Sequence, residues 1–321
     1  MRKTKNNMKK QIFFFTFLMF TSVFLKAQQD PQFSQNMFTH LLTNPGYAGS
    51  NDNISVFALN RTQWTGFEGS PMVTTLNMDA AINPFRVPLG IGLSLQNDEL
   101  GFNKDLQLNI SIAYKQPLGD GNLGIGVKWG VANTSINTEG SEWITPIDPV
   151  EDDIAIPVDG SEDMSMMDFG FGLFYKTEDL YLGISSTHIN QAEFSLDQSK
   201  PRLTRHYYVT AGYNLPFNNP LFEFKPGLIV QSDGKNSQLG FHGLIEYNKK
   251  IWGGVSLRTD YAITGIFGVE LFKWVKVSYS YDFVVSDMME YNNGSHEIMM
   301  GFSFDVKKDK TPERYKSIRF L

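Results

Sequence analysis

Runs of about ten residues that alternate between apolar and polar side chains recur from Asn53 to Val306, separated by turns. In the run 106–115 the even positions carry Leu, Leu, Ile, Ile and Tyr, and the odd positions carry Gln, Asn, Ser, Ala and Lys. Successive side chains of a β-strand point to opposite faces, so each run has one apolar and one polar face. This pattern predicts an all-β fold, a transmembrane antiparallel β-barrel with an apolar lipid face and a polar lumen.

The alternating runs number fourteen, and an even count is usual for single-chain bacterial barrels. Short turns and longer loops largely alternate between them, as periplasmic turns and outer loops do, and Asp98–Lys104 is predicted to be an outer loop. A soluble β-sandwich or propeller is the alternative. The predicted strands are 53–62, 72–82, 88–97, 105–116, 122–132, 168–176, 179–187, 203–213, 222–232, 236–247, 250–259, 262–271, 274–284 and 295–306.

Aromatic residues cluster near the ends of the predicted strands. Such positions are typical of the aromatic girdles that a barrel places at the two membrane interfaces. The sequence therefore predicts interfacial positions for Trp64, Trp129, Tyr175, Tyr181, Tyr207, Tyr208, Trp252 and Trp274.

The first 27 residues have the pattern of a secretory signal peptide. Basic residues precede an apolar run, Ile12–Leu25, and Ala27 offers a cleavage site. The alternative is a retained transmembrane helix, but the run is shorter than the roughly 20 apolar residues that a helix needs to cross a bilayer. With cleavage, the chain is expected to be an integral protein of the bacterial outer membrane. The absence of cysteine excludes a lipid anchor on an N-terminal cysteine.

Residues 28–52 are expected to form a periplasmic or lumenal segment before the barrel, which spans 53–306. The segment contains a short apolar set: Phe33, Met37, Phe38, Leu41 and Leu42. Two interpretations remain open at this point. The set either plugs or braces the lumen, or it is a periplasmic lead-in to the first strand.

Two further segments carry charge of a single predominant sign. The predicted outer loop 133–167 contains no Lys or Arg and many carboxylates. It matches no defined Ca²⁺ loop, so a solvated acidic loop is favoured over a metal site. If the loop binds a partner, a basic protein surface suits it as well as a metal does. The predicted periplasmic tail 307–321 is basic, which suits anionic outer-membrane lipid or an acidic periplasmic protein.

No catalytic constellation is visible in the sequence. The five histidines are scattered, and the G-x-S-x-G, H-E-x-x-H and P-loop motifs are absent. We therefore expect a non-enzymatic protein without catalytic residues, metal or cofactor, and the net charge of −6 argues against a nucleic-acid partner. Glycine pairs within predicted strands, such as Gly124 with Gly126, favour strand curvature or room for something packed in the lumen.

Two motifs distinguish the N-terminal region. The first is D-P-Q-F-S-Q-N-M at 30–37, followed by N-P-G-Y-A-G-S at 44–50, and the second is R-T-Q-W-T-G-F-E-G-S-P at 61–71. Together they resemble the N-terminal signature of the PorP/SprF family of Bacteroidota outer-membrane proteins. The family pattern has alanine where this chain has Gly46.

The resemblance implies a component of type IX secretion, with a barrel similar to the fatty-acid-transporter type of outer-membrane channel. Family members support export or cell-surface anchoring of secreted surface proteins with a type IX C-terminal sorting domain, including gliding adhesins. Some are linked to other type IX components in the periplasm. The alternative function is an outer-membrane channel for hydrophobic or small polar solutes.

The motif residues are the candidate partner-binding or structural positions. Asn44-Pro45-Gly46 reads as a turn. Arg61, at the first outer hairpin, either anchors a protein partner together with neighbouring aromatic residues or pairs with a lumen carboxylate and holds the hairpin in place. The candidate residues are Phe33, Asn44, Pro45, Tyr47, Arg61, Gln63, Trp64, Gly66 and Phe67.

Overall fold

The strands form a closed antiparallel barrel. The computed structural model describes residues 30–51, 53–66, 69–137, 161–193, 202–259, 261–272, 274–285 and 287–305. Each long strand pairs with the next, and pairing of the first strand with the last closes the ring. A two-residue strand, β9, pairs only with β10, and β8 also pairs directly with β10, so fourteen long strands make the barrel as predicted.

The strand bounds agree closely with the alternation in the sequence. They are β1 Asn53–Thr62, β2 Met72–Ile82, β3 Leu89–Leu100, β4 Asn103–Leu118, β5 Gly121–Asn137, β6 Ser161–Lys176, β7 Leu180–Thr187, β8 His206–Tyr213, β9 Leu215–Pro216, β10 Phe222–Ser232, β11 Ser237–Tyr247, β12 Ile251–Arg258, β13 Ala262–Leu271, β14 Val275–Val284 and β15 Ser295–Asp305. We call the end where β1 begins the turn end, and the end where β1 finishes the loop end.

The alternation separates the lipid-facing side chains from the lumenal ones. On β4, Leu108 and Ile110 are 46% and 44% exposed on the outer surface, whereas Asn109 and Ser111 between them are 5% and 1% exposed. Because the outer face is apolar and the polar face points inward, the strands have the pattern of a membrane barrel. The structure contains both faces that the sequence predicts.

Two predicted loops are shorter than expected. The predicted outer loop Asp98–Lys104 is wrong, because β3 and β4 continue to a turn at Gly101 and Phe102. Likewise, residues 133–137 and 161–167 of the predicted acidic loop form strand. Beyond the apolar band the outward positions, such as Ser135 and Asp163, are polar as well, so the alternation disappears although the backbone ladder continues. Residues 138–160, the signal peptide 1–27 and the tail 307–321 lie outside the described residues.

Some of the expected girdle aromatics face the lumen instead. Tyr208 and Trp252 are only 3% and 4% exposed, and Tyr181 packs in the lumen against Phe174. The position of an aromatic near a strand end therefore did not decide its environment. Its even or odd place in the alternation did, because that place fixes the face to which the side chain points.

Residues 31–50 lie inside the barrel, and we call them the lumen segment. Ser34 hydrogen-bonds to β15, and Asn44 to β6 and β7, which lie on the opposite side of the ring. The segment contains two short 3₁₀ turns and the α-helix His40–Thr43. These contacts favour the plug or brace over a periplasmic lead-in to the first strand. Among the described residues, no helix is both long and apolar enough to cross a membrane.

The lumen segment runs from the loop end towards the turn end. Near its start, Gln32 accepts a hydrogen bond from Arg258, the last residue of β12 at the loop end. Near its finish, the Gly49 N–H donates to Asp79 in the turn half of β2 at 2.8 Å. The chain therefore threads the lumen once before β1 begins.

Candidate functional site

Two arginines and two carboxylates meet inside the barrel near its loop end. Arg61 on β1 contacts Asp282 on β14 through Nη2 at 2.6 Å and Glu297 on β15 through Nη1 at 3.1 Å. Arg258 on β12 contacts the same oxygen of Asp282 at 3.2 Å. All four side chains are buried. Their formal charges cancel, which is what burial of ionised groups requires.

The lumen segment completes this cluster. Ser34 donates through its hydroxyl to Asp282 at 2.6 Å and accepts from Arg61 at 2.8 Å and Arg258 at 2.7 Å. The backbone N–H groups of Ser34 and Gln35 donate to the two oxygens of Glu297 at 2.9 and 2.8 Å. We call these six residues the lumen latch. It holds the start of the lumen segment to charged residues on four strands of the wall, β1, β12, β14 and β15.

The latch is sensitive to the loss of any one partner. A buried charge that keeps its partners and hydrogen bonds is tolerated, but removal of one partner leaves another charge uncompensated and costs about 3–5 kcal/mol. Its groups are held by mutual hydrogen bonds. The arrangement is suited to holding a segment in place.

The Asn44-Pro45-Gly46 turn docks against the opposite wall. Asn44 accepts from the Gly46 N–H at 2.9 Å and donates to the carbonyl of Leu173 on β6 at 3.0 Å. A Cβ on Gly46 would lie 2.7 Å from the carbonyl oxygen of Gly124 on β5. The turn therefore sits directly on the backbone of the wall. The strand glycines make room for it, as one of the sequence interpretations expected.

Aromatic side chains pack around the turn. The His40 ring lies 5.4 Å from Tyr47, 5.4 Å from Phe174 and 4.9 Å from Tyr181, measured between ring centroids. Burial, with smaller contributions from His242 and Lys176, lowers the pKa of His40 to about 3, so the ring is neutral at physiological pH. Neutral His40 thus behaves as part of an aromatic cluster.

Phe33 belongs to a separate apolar cluster of the lumen. It packs with residues from several strands, including Leu59 on β1, Trp252 on β12 and Met299 on β15. The partly buried Met37 and Phe38 extend this cluster. Apolar contact therefore holds the segment between the latch and the docked turn.

The remaining motif residues lie at the first loop-end hairpin. Gln63 donates its backbone N–H to the carbonyl of Pro71 at 2.8 Å. Trp64 has a positive φ of 52°, and its backbone N–H donates to Ser295 Oγ at 3.2 Å. Gly66 is exposed with φ of 120°, and Phe67 lies outside the described residues. The hairpin is thus tied to the start of β15.

The structure divides the described candidate residues among four places instead of one site: the latch, the docked turn, the apolar cluster of Phe33 and the first loop-end hairpin. Arg61 joins the latch, which favours the lumen-carboxylate interpretation. Asn44, Pro45 and Tyr47 belong to the docked turn. Sequence reasoning did not single out Ser34, Gln35, Arg258, Asp282 or Glu297. The available signal was a charged residue at a lumen-facing position of the alternation, near the loop end of each of β12, β14 and β15.

The family comparison covers most of the chain. The model of the family described as "Type IX secretion system membrane protein PorP/SprF" matches residues 25–302. The chain belongs to the PorP/SprF family. The match includes both motifs, the lumen segment and the barrel into its last strand. This PorP/SprF protein is thus an outer-membrane component of type IX secretion. No curated protein matches the chain.

Solved outer-membrane barrels resemble this PorP/SprF protein at low identity. Omp33 of Acinetobacter baumannii is 7% identical, with 78% of this chain and 97% of that chain covered and a TM-score of 0.46. A FadL homologue of Pseudomonas aeruginosa is 10% identical, with 88% and 96% covered and a TM-score of 0.46. The TodX deltaS2S3 mutant monoaromatic hydrocarbon channel is 10% identical, with 84% and 94% covered and a TM-score of 0.41.

Cavities remain beside the lumen segment in the turn half of the PorP/SprF barrel. One of about 380 Å³ lies between Phe38, Asp79 and β14–β15 residues such as Lys276. Another of about 180 Å³ is lined by Phe38, Trp252 and Lys276 among others. A smaller one of about 40 Å³ lies beside the latch and is lined by Gln32, Phe33 and Arg258 among others.

Proposed function

We propose that this protein supports the export or cell-surface anchoring of a secreted surface protein that carries a type IX C-terminal sorting domain, such as a gliding adhesin. Membership of the PorP/SprF family supports a role in type IX secretion. In this proposal the barrel is a non-enzymatic holder of its partner. Its loop end faces the cell exterior, and its turn end faces the periplasm, where other type IX components are available.

The latch is the observation that carries this proposal. A barrel that conducts solutes needs an open path, but here the lumen segment is bound by buried charges on four strands and docked on β5 and β6. A segment held this way turns the barrel into a rigid platform. The partner then binds to surfaces outside the lumen, for which the loop-end strands and connections are available.

The proposal includes maturation. Cleavage after Ala27 would leave a mature chain whose barrel is inserted in the outer membrane. N-terminal sequencing of the protein purified from outer membranes tests this step directly. A mature chain that begins near Gln28 is expected, and recovery of the intact apolar run Ile12–Leu25 would contradict it.

Deletion of the gene tests the main proposal. Mass spectrometry would compare surface-exposed and secreted proteins of the deletion strain with those of the parent and of a complemented strain. Loss or release of one or a few large surface proteins is expected of a dedicated partner, and loss of all type IX cargo would make the protein a core component. An unchanged surface proteome would contradict the proposal.

The competing function is a solute channel, favoured by the cavities in the turn half of the lumen. Uptake of hydrophobic and of small polar solutes by the same strains separates the two functions. A channel predicts reduced flux on deletion with the surface proteins unchanged. If the protein instead holds a secreted surface protein, deletion changes the surface proteins and leaves solute flux unchanged.

A further inference from the structure

Strand β6 extends beyond its neighbour β7. On one side, β6 pairs with β5 over its whole length, from Ser161 opposite Asn137 to Lys176 opposite Asn122. On the other side, β7 pairs only with Phe171–Lys176. Among the residues that the structure describes, the loop-end part of β6 therefore has a neighbouring strand on one side only. We call its first six residues, Ser161–Met166, the free edge.

Two residues of β6 nearer the turn end show which backbone groups of the strand face away from β5. The carbonyl of Phe169 accepts from the Ile189 N–H at 3.0 Å, and the carbonyl of Met167 accepts from the Asn190 side chain at 2.7 Å. In a strand, the N–H and C=O of alternate residues point to the same side. The odd-numbered residues of β6 therefore face this side.

By this alternation Ser161, Asp163 and Ser165 direct their N–H and C=O groups away from β5. Within the described part of the chain, no backbone or side-chain hydrogen bond to these groups is found. Unpaired strand edges are a template for addition of another strand, and natural proteins usually cover or shorten them. Here the edge spans about 20 Å, the length of six extended residues.

The free edge lies beyond the apolar band of the barrel. On the outer face of β6, Met167 and Phe169 are 58% and 42% exposed and apolar, as lipid contact requires. The next outward residues towards the loop end are Ser165 and Asp163, which are polar and exposed. The edge therefore faces water on the loop side, where a soluble partner can reach it.

The surroundings of the edge in the sequence are acidic. The connection 138–160, which directly precedes β6, contains seven carboxylate residues and no Lys or Arg. Asp163 adds an exposed carboxylate on the edge itself. The basic residues after Val306 follow β15, which ends at the turn end, on the opposite side of the apolar band. The local charge therefore favours a basic segment from another molecule.

We propose that the free edge of β6 binds an extended, basic segment of the exported protein by β-strand addition. Backbone hydrogen bonds to Ser161, Asp163 and Ser165 supply the affinity, and the exposed carboxylate of Asp163 selects a Lys- or Arg-bearing strand. This inference rests on the proposed function and names the mode of partner binding. It requires no opening of the lumen, in keeping with the latch.

Proline at Ser165 tests the edge. Proline lacks the N–H donor and is tolerated on strand edges, and this N–H is not part of the ladder with β5. Ser165→Ala is the matched control, because both variants lose the bond from Asn133 to the Ser165 hydroxyl and only proline blocks the edge. Each variant would replace the native gene, with barrel folding checked by heat-dependent migration on gels.

Mass spectrometry of the surface proteins of these strains measures how much of the dependent surface protein each variant retains. Ser165→Pro is expected to reduce the dependent surface protein about tenfold, the effect of losing about 1.4 kcal/mol, with Ser165→Ala unchanged. A folded Ser165→Pro barrel that retains the protein lost on gene deletion would overturn the edge proposal and leave the proposed function standing. A deletion strain with an unchanged surface would overturn both.

A second pair keeps the test decisive if Ser165→Pro does not fold. Asp163→Pro blocks the same edge, and Asp163→Ala is its control. Asp163→Lys tests the charge: it is expected to weaken retention of the surface protein while it preserves the backbone groups. Full retention in both Asp163→Pro and Asp163→Lys would contradict strand addition by a basic segment.

Discussion

Arg61 and Asp282 lie 221 residues apart in the sequence and are joined at 2.6 Å inside the barrel. Arg61 is on the first strand and lies opposite Glu297 on the last strand. The contact between Arg61 and Glu297 therefore bridges the seam where the barrel closes. Ser34 of the lumen segment contacts both residues. Closure of the barrel and docking of the lumen segment therefore use the same charges.

Replacement of Arg61 by alanine is expected to release the start of the lumen segment. Two carboxylates would be left with a single arginine, which predicts a loss of about 3–5 kcal/mol of stability. The lumen segment contains no Lys or Arg, so chymotrypsin, which cuts after Phe38, is the suitable probe of its release.

Lys104→Ala is the control for Arg61→Ala. Lys104 is 59% exposed and lies 3.8 Å from Glu99, and such surface pairs contribute about 0–1 kcal/mol. Cleavage should accelerate in Arg61→Ala and stay at the wild-type rate in Lys104→Ala. Equal protection of all three proteins would show that the latch does not hold the segment.

Replacement of Asn44 by alanine is expected to loosen the docked turn. The change removes the acceptor of the Gly46 N–H and a side-chain donor to the Leu173 carbonyl, at a cost of about 1–3 kcal/mol. Asn60→Ala, which removes an exposed bond to Thr74, is the control and should cost less. Urea unfolding in lipid vesicles compares the two. A smaller loss for Asn44→Ala than for Asn60→Ala would contradict the docking.

A methyl group on the wall should disturb the turn from the other side. In Gly172→Ala the new Cβ would lie 2.9 Å from Pro45 Cδ and closer still to the Asn44 side chain. Overpacking of this kind costs about 1–3 kcal/mol. Gly265→Ala on β13 is the control, since nothing lies within 4 Å of its added Cβ. The structure predicts a lower melting temperature for Gly172→Ala alone, and identical values would count against it.

Acid is expected to weaken the docked segment through His40. Its pKa is about 3 in the folded protein, below the ordinary value of about 6.5. Between these values the unfolded chain binds the extra proton, so stability falls as the pH decreases from 6.5 towards 3. His40→Phe, which preserves the ring contacts, should lose less stability over this range. Unfolding measured at pH 7 and 5 tests the difference, and parallel losses would exclude a role for His40.

The sequence predicted the barrel well because lipid and lumen impose different solvents on alternate residues. That rule holds for β4, where Leu108 and Ile110 face out and Asn109 faces in. It does not hold for the loop ends of β5 and β6, where outward positions such as Ser135 and Asp163 are polar and the ladder alone continues the strand. Loop lengths were therefore overestimated at those places.

The site was less predictable than the fold. The motifs drew attention to Arg61 and Asn44, but their partners lie on distant strands whose closeness depends on barrel closure. Asp282 and Glu297 were recognisable as lumenal by parity, whereas their approach to Arg61 was not. Ser34 makes its contacts because the lumen segment threads the barrel, and alternation along the strands contains no information on that path.

Ion conductance of the purified protein in a planar bilayer tests the latched lumen most directly. The mature wild-type protein is expected to give no sustained current, because the lumen segment is fixed at the latch and at the docked turn. A variant that lacks residues 31–50 and still inserts as a folded barrel should conduct. A steady ohmic current through the wild-type protein, unchanged by that deletion, would contradict a lumen closed by its own N-terminal segment.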